Sequence, residues 1–164
     1  MVKRERGYKP QLLDTSEIRA VVLSCIDARL FETASEVVSR WLGIKGGIYD
    51  PKLMGGLKTL AAPTKESHAE TVLDNIKFVL EHNPDAMVVG FVHEDCAAEK
   101  ATGNSFDTLE EWSAFAKKQA PLAEARLRSA GITAKTVYGF LYASSENKWT
   151  VETIPLFEEL QKAA

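Results

Sequence analysis

The chain is poor in cysteine, with two among 164 residues, and it holds only three histidines. So few thiols exclude a disulfide-stapled secreted scaffold, and in a reducing compartment Cys25 and Cys96 read as free thiols or metal ligands. An excess of one charge is also lacking: 20 Lys plus Arg stand against 23 Asp plus Glu, a formal net charge of −3. The basic residues are scattered rather than striped, which sets aside a nucleic-acid binder. Long hydrophobic runs are missing as well. The longest, Ala20 to Leu23 and Ala86 to Val92, have the length of buried strands, far short of the roughly 18 residues of a membrane span. The charged start Met1-Val2-Lys3-Arg4-Glu5-Arg6 precedes no apolar stretch, so the expectation is a cytoplasmic protein without a secretory signal.

What is present suits one globular unit. With 45% hydrophobic and 26% charged residues, the chain is expected to form a single α/β domain over 1–164, with residues 1–17 as an N-terminal arm of no regular structure. Ala20 to Cys25 is a β-branched run of the kind buried on both faces of a parallel sheet, and Phe31 to Leu42 repeats apolar residues at helical spacing. Ile48-Tyr49 allows a brief second strand, Gly55-Gly56 a loop, and Ser67 to Glu81 a helix with Val72, Ile76, Val79 and Leu80 on one face. Ala86 to Val92 reads as the third strand, and Thr108 to Ser129 as a helix that Pro121 should kink or split. Thr136 to Tyr142 is the fourth strand, Ser144 to Lys148 a turn, Trp149 to Glu152 an allowed edge strand, and Pro155 to Lys162 a terminal helix. Strands alternating with helices predict an open, mostly parallel four-stranded sheet with flanking helices and that edge strand.

Two short motifs fall at equivalent places, Cys25-Ile26-Asp27-Ala28-Arg29 where strand 1 ends and His93-Glu94-Asp95-Cys96 where strand 3 ends. Ligands of open α/β sheets bind outside the carboxyl ends of strands, where successive connections go to opposite sides. If strand 2 lies on the far side of strand 1, Cys25, His93 and Cys96 converge on one metal. Two thiolates and an imidazole suit Zn²⁺, and three protein ligands leave a fourth tetrahedral position for water. The plainer reading of either motif alone is a buried strand-end cysteine and, for Asp27 and Arg29, a loop salt bridge. Glu94 and Asp95 read as solvent-facing or capping groups, His68 and His82 as surface residues, and the three tryptophans as packing.

Cys-x-Asp-x-Arg followed by His-x-x-Cys resembles the metal-binding signature of the β-class carbonic anhydrases. The Gly-Gly loop, the helix before strand 3 and Gly139-Phe140-Leu141-Tyr142 fall in that family's order. The resemblance implies a zinc lyase that hydrates carbon dioxide to bicarbonate by zinc-bound hydroxide, acting on a small-molecule substrate as a homodimer or higher homo-oligomer. It implies Cys25, His93 and Cys96 as zinc ligands and Asp27 with Arg29 as the catalytic dyad, Arg29 holding the Asp27 carboxylate off the metal. Two thiolates offset the charge of Zn²⁺, so alkaline-favoured activity is expected. The chain departs from the family where Lys52-Leu53-Met54-Gly55-Gly56 replaces its Arg-Asn-Ala-Gly segment and where Ala97 follows the second cysteine in place of Gly. Those departures leave two further readings open: hydrolysis of carbonyl sulfide or carbon disulfide, and a non-catalytic zinc-binding domain.

Overall fold

The computed structural model describes residues 18–30, 33–44, 47–143 and 149–156. Among them, β1 (Ile18–Leu23) leads through one 3-10 turn at Ala28–Leu30 into α1 (Thr33–Leu42) and β2 (Gly47–Tyr49). Then come α2 (Lys58–Ala61), α3 (Glu66–His82), β3 (Met87–His93), α4 (Ala97–Lys100), α5 (Leu109–Ser129), β4 (Thr136–Ala143) and β5 (Trp149–Ile154). The five strands form one sheet in the order β2-β1-β3-β4-β5, parallel except for β5, which runs antiparallel to β4. The strand–helix alternation of the sequence thus gives the open, mostly parallel α/β architecture it predicts.

Ala20, Val21, Val22 and Leu23 are fully buried, as a central parallel strand covered on both faces requires. Along β3 the faces alternate. A Cβ at Gly90 would strike Leu57 and Tyr138, whereas the next residue, Phe91, packs its ring against Trp41 of α1. The Tyr138 hydroxyl donates to Glu124 of α5 (2.6 Å), so α1 and α5 cover opposite faces of the sheet. α3 buries Ala69, Val72, Ile76 and Val79, a stripe at three- and four-residue spacing.

α5 starts at a capping box: Thr108 Oγ1 accepts from the Glu111 N–H (3.2 Å) while Glu111 Oε2 accepts from the Thr108 N–H (3.1 Å). Pro121 does not split it. That residue is exposed, as is Lys117, whose carbonyl it leaves without its usual intrahelical donor. Two further differences from the sequence reading are small: a short helix, α2, follows the Gly-Gly turn, and β1 ends at Leu23, leaving Cys25 in an isolated parallel bridge to Leu53. The expected N-terminal arm, the turn at Ser144 to Lys148 and nearly all of the expected terminal helix lie outside the described residues. No helix among the described residues is long and apolar enough to cross a membrane.

Candidate metal centre

β1 is flanked by β2 on one side and β3 on the other, so the chain leaves the carboxyl ends of β1 and β3 at the point where the strand order reverses. Three segments meet there. After β1, the Leu53 N–H donates to the Ser24 carbonyl and the Ile26 N–H donates to the Leu53 carbonyl, both at 2.8 Å, which pins the segment around Cys25. The turn that follows Leu53 is pressed between the ends of β1 and β3. Gly56 has φ +58°, and a Cβ there would lie 2.8 Å from the Phe91 carbonyl oxygen and 3.1 Å from the Cys25 nitrogen. Only glycine fits both the conformation and the space. From the other side, His93 ends β3 and Cys96 caps α4.

This folding brings Cys25, His93 and Cys96 together, all buried, with ligand atoms within 4.8 Å of one another. His93 Nδ1 faces the Glu94 carbonyl oxygen at 2.8 Å, an arrangement that places the ring proton on Nδ1 and a lone pair on Nε2. Nε2 is buried and finds no hydrogen-bond partner among the described residues. A buried acceptor without a donor is costly, and a cation between it and the two sulfurs removes that cost.

The surroundings shift the two thiols in opposite directions. The Cys25 thiol is held far below its ordinary value, chiefly because the Cys96 thiol hydrogen-bonds to it, with the His93 ring and the Asp27 N–H adding to the effect against burial. The same bond pushes the Cys96 thiol up, burial adds to this, and the N–H groups of Glu99 and Ala98 act the other way. This arrangement favours the thiolate form at Cys25, the form in which a cysteine binds a metal. Two sulfurs and one imidazole nitrogen in a buried cluster match a tetrahedral zinc donor set with one position left over.

Asp27 and Arg29 lie immediately beyond Cys25. Arg29 Nε donates to Asp27 Oδ1 (3.0 Å), Arg29 Nη2 donates to Oδ2 (2.7 Å), and the Arg29 N–H donates to Oδ1 as well (2.9 Å). This bidentate clamp holds the Asp27 carboxyl at about 2 against an ordinary 3.8. Among the described residues, Oδ1 accepts two hydrogen bonds and Oδ2 one, which leaves one acceptor site on Oδ2. Arg29 is itself placed from both sides, since Nη2 also donates to the Asp95 carbonyl (3.3 Å) and its own carbonyl accepts from Trp149 Nε1 (3.1 Å).

Sequence reasoning left three groups out of the site. The Trp149 ring meets the His93 ring edge-on, with centroids 6.5 Å apart, so β5 braces a donor as well as the clamp. Asp50 accepts from Ser24 Oγ and pairs with Lys52 Nζ (2.7 Å) directly behind Cys25. Lys58 and Glu99 form a buried ion pair at 3.2 Å. Apart from the Asp50–Lys52 pair, two residues apart, each contact joins segments distant in sequence and so carries no local signal. Glu94 and Asp95 do cap and pair at the surface: Glu94 Oε1 accepts from the Ala143 N–H, and Asp95 pairs with Lys100. His68 and His82 are exposed on α3.

No protein-family model and no curated protein matches the chain. Among solved structures, the β-carbonic anhydrase CafA of the fungal pathogen Aspergillus fumigatus aligns at 15% identity over 90% of this chain and 81% of its own, with a TM-score of 0.46. One of two tetrameric β-carbonic anhydrases from the filamentous ascomycete Sordaria macrospora aligns at 10% identity over 82% of this chain and 80% of its own, with a TM-score of 0.43.

Proposed function

We propose that this chain is a zinc-dependent lyase that interconverts carbon dioxide and bicarbonate, with Cys25, His93 and Cys96 as the zinc ligands and Asp27 and Arg29 as the catalytic dyad. The observation that carries this reading is the buried three-donor cluster, standing beside a carboxylate that Arg29 clamps through two charge-assisted hydrogen bonds. When bound, Zn²⁺ supplies the Lewis acidity that makes a water nucleophilic near neutral pH, less strongly beside two thiolates than beside neutral imidazoles.

The protein's part is orientation. Arg29 holds Asp27 as a carboxylate, and the Oδ2 lone pair that the clamp leaves open would accept a hydrogen bond from the attacking oxygen, turning that oxygen's own lone pair toward the substrate carbon. Arg29 occupies the other carboxylate sites and keeps Asp27 from becoming a fourth ligand. Ile26 and Met54, 61% and 51% exposed, directly follow Cys25 and Leu53 in the chain and offer apolar surface next to the cluster, which suits a small, linear, weakly polar substrate. Carbonyl sulfide shares that shape and is assayed beside carbon dioxide. A homodimer or higher homo-oligomer belongs to the same reading and rests on the resemblance of the two motifs to the family; light scattering at micromolar concentration tests this.

Metal analysis with stopped-flow hydration tests the whole reading. The wild type is expected to hold one zinc per chain; Cys25→Ser, Cys96→Ser and His93→Ala should lose it. Asp27→Asn and Arg29→Ala should keep zinc and lose at least about tenfold in rate, with the double variant little worse than either, because groups that act as a unit are non-additive. Full activity in Asp27→Asn removes the dyad from the mechanism. A zinc-loaded wild type that turns over carbonyl sulfide alone moves the substrate, and one that turns over neither leaves a zinc-binding domain.

A further inference from the structure

Behind the metal cluster lies a charge pair that the proposed chemistry does not use. Lys58 opens α2, two residues after the Gly56 that presses on the Cys25 nitrogen, and Glu99 sits in α4, three residues after Cys96. Their side chains are 5% and 2% exposed, and Lys58 Nζ donates to Glu99 Oε2 at 3.2 Å. Asn104 Nδ2 donates to the same oxygen (2.9 Å), while Glu99 Oε1 is buried without a partner among the described residues. The backbone is tied in at both ends: the Lys58 N–H donates to the Gly55 carbonyl (3.1 Å) and the Glu99 N–H to the Cys96 carbonyl (3.1 Å). Gly55, at φ +85°, lets the Lys58 stem and Ala98 approach to within 3.3 Å of where its Cβ would stand.

A fully desolvated ion pair gains little net stability over an apolar pair of the same volume, because the loss of hydration offsets most of the attraction. Its distinctive property is direction, one nitrogen on one oxygen at a fixed distance. Here that direction joins the turn that seats Cys25 to the helix that begins at Cys96. We infer that Lys58 and Glu99 are positioning residues of the metal centre, a strut that fixes the separation of the two ligand-bearing segments so that both sulfurs reach one cation. The inference rests on reading Cys25, His93 and Cys96 as metal ligands.

The test uses zinc-loaded wild type, Lys58→Met/Glu99→Met, Glu99→Gln and, as a control on an exposed pair, Lys117→Met. Transfer of zinc to a chromophoric chelator is followed under native conditions, beside the urea midpoint and the visible ligand-field spectrum of the Co²⁺-loaded proteins. The double variant should release zinc about tenfold faster or more, as happens when groups that orient ligands are removed, and its Co²⁺ bands should shift although its urea midpoint does not fall. Lys117→Met should match the wild type in zinc release and in its Co²⁺ bands. If the double variant does not fold, Glu99→Gln, which keeps the shape and the Asn104 contact, decides the matter by the same two readouts. Release within twofold of wild type and unchanged Co²⁺ bands in a folded variant overturn the strut. A wild type that takes up no zinc overturns the ligand reading itself, and shows it before any variant is made.

Discussion

Two Lys–Glu pairs with the same chemistry sit in opposite surroundings. Lys58 and Glu99 are 5% and 2% exposed and 3.2 Å apart; Lys117 and Glu152 are 49% and 38% exposed and 2.6 Å apart. The shorter contact is the weaker one. At the surface, water competes for both charges and salt screens them, and holding two long side chains together costs rotamer entropy. In the interior water is excluded, and among the described residues Glu99 has only the neutral Asn104 besides Lys58, so each charge depends on the other. Contact length therefore ranks these pairs in the wrong order, and solvent exposure ranks them correctly.

Removing one partner at a time separates the two cases most sharply. Lys58→Met leaves a buried carboxylate with only Asn104, and a loss of about 3–5 kcal/mol in urea unfolding is expected. Lys58→Met/Glu99→Met should recover that loss and leave the urea midpoint no lower than in the wild type. A single variant costing under about 1 kcal/mol would mean that water reaches Glu99, which would break the comparison.

The next effect in size contrasts two glycines. Gly56 and Gly131 both hold positive φ, +58° and +81°, yet a Cβ at Gly131 meets nothing within 4 Å whereas one at Gly56 meets backbone at 2.8 Å. Gly131→Ala therefore carries only the left-handed conformational penalty, about 1–2 kcal/mol. Gly56→Ala adds displacement of the Phe91 carbonyl, for a total of about 3 kcal/mol or more, and should weaken zinc retention because the Cys25 nitrogen lies against the same spot. Equal urea midpoints for the two variants would show that the turn after Leu53 yields freely.

These contrasts mark what the sequence could disclose. Strand and helix positions follow from periodicity, so β1, β3, α3 and β4 are visible in Val21-Val22-Leu23, Val88-Val89, Val72 with Ile76, and Val137 through Leu141. The meeting of Cys25 with His93 and Cys96 is legible because all three follow strand ends, and the ends of parallel neighbours lie on one edge of a sheet. Asp27 and Arg29 pair within three residues of chain, a contact that spacing alone can propose. Lys58 in Leu57-Lys58-Thr59-Leu60 looks like any exposed lysine; its burial depends on Gly55 and α4, which arrive through the fold. Trp149 suits an edge strand, and nothing near it in sequence points to His93. Pro121 misleads in the other direction, since α5 runs unbroken from Leu109 to Ser129 through this exposed proline.

The smallest effect belongs to the surface pair, and pH reveals it best. Glu152 is held below its ordinary value first by Lys117 and then by Ser113, whose hydroxyl donates to Oε2 at 2.8 Å. A carboxylate lowered in the folded state binds a proton less readily there than in the unfolded chain. Its contribution is therefore complete above the ordinary glutamate range and is lost as the pH falls through its folded value. With both partners more than a third exposed, solvent screening limits the contribution to about 0.5 kcal/mol. Lys117→Met should accordingly lower stability by about that amount at pH 7 in low salt, by less in 1 M salt, and by nothing once Glu152 is protonated in both proteins. Urea unfolding of wild type and variant from pH 7 to pH 3 isolates the pair, because acid effects elsewhere are common to both. A stability gap that stays constant across that range would assign the effect to the packing of the lysine stem on Glu152 and β5, and exposure would no longer be the quantity that separates the two pairs.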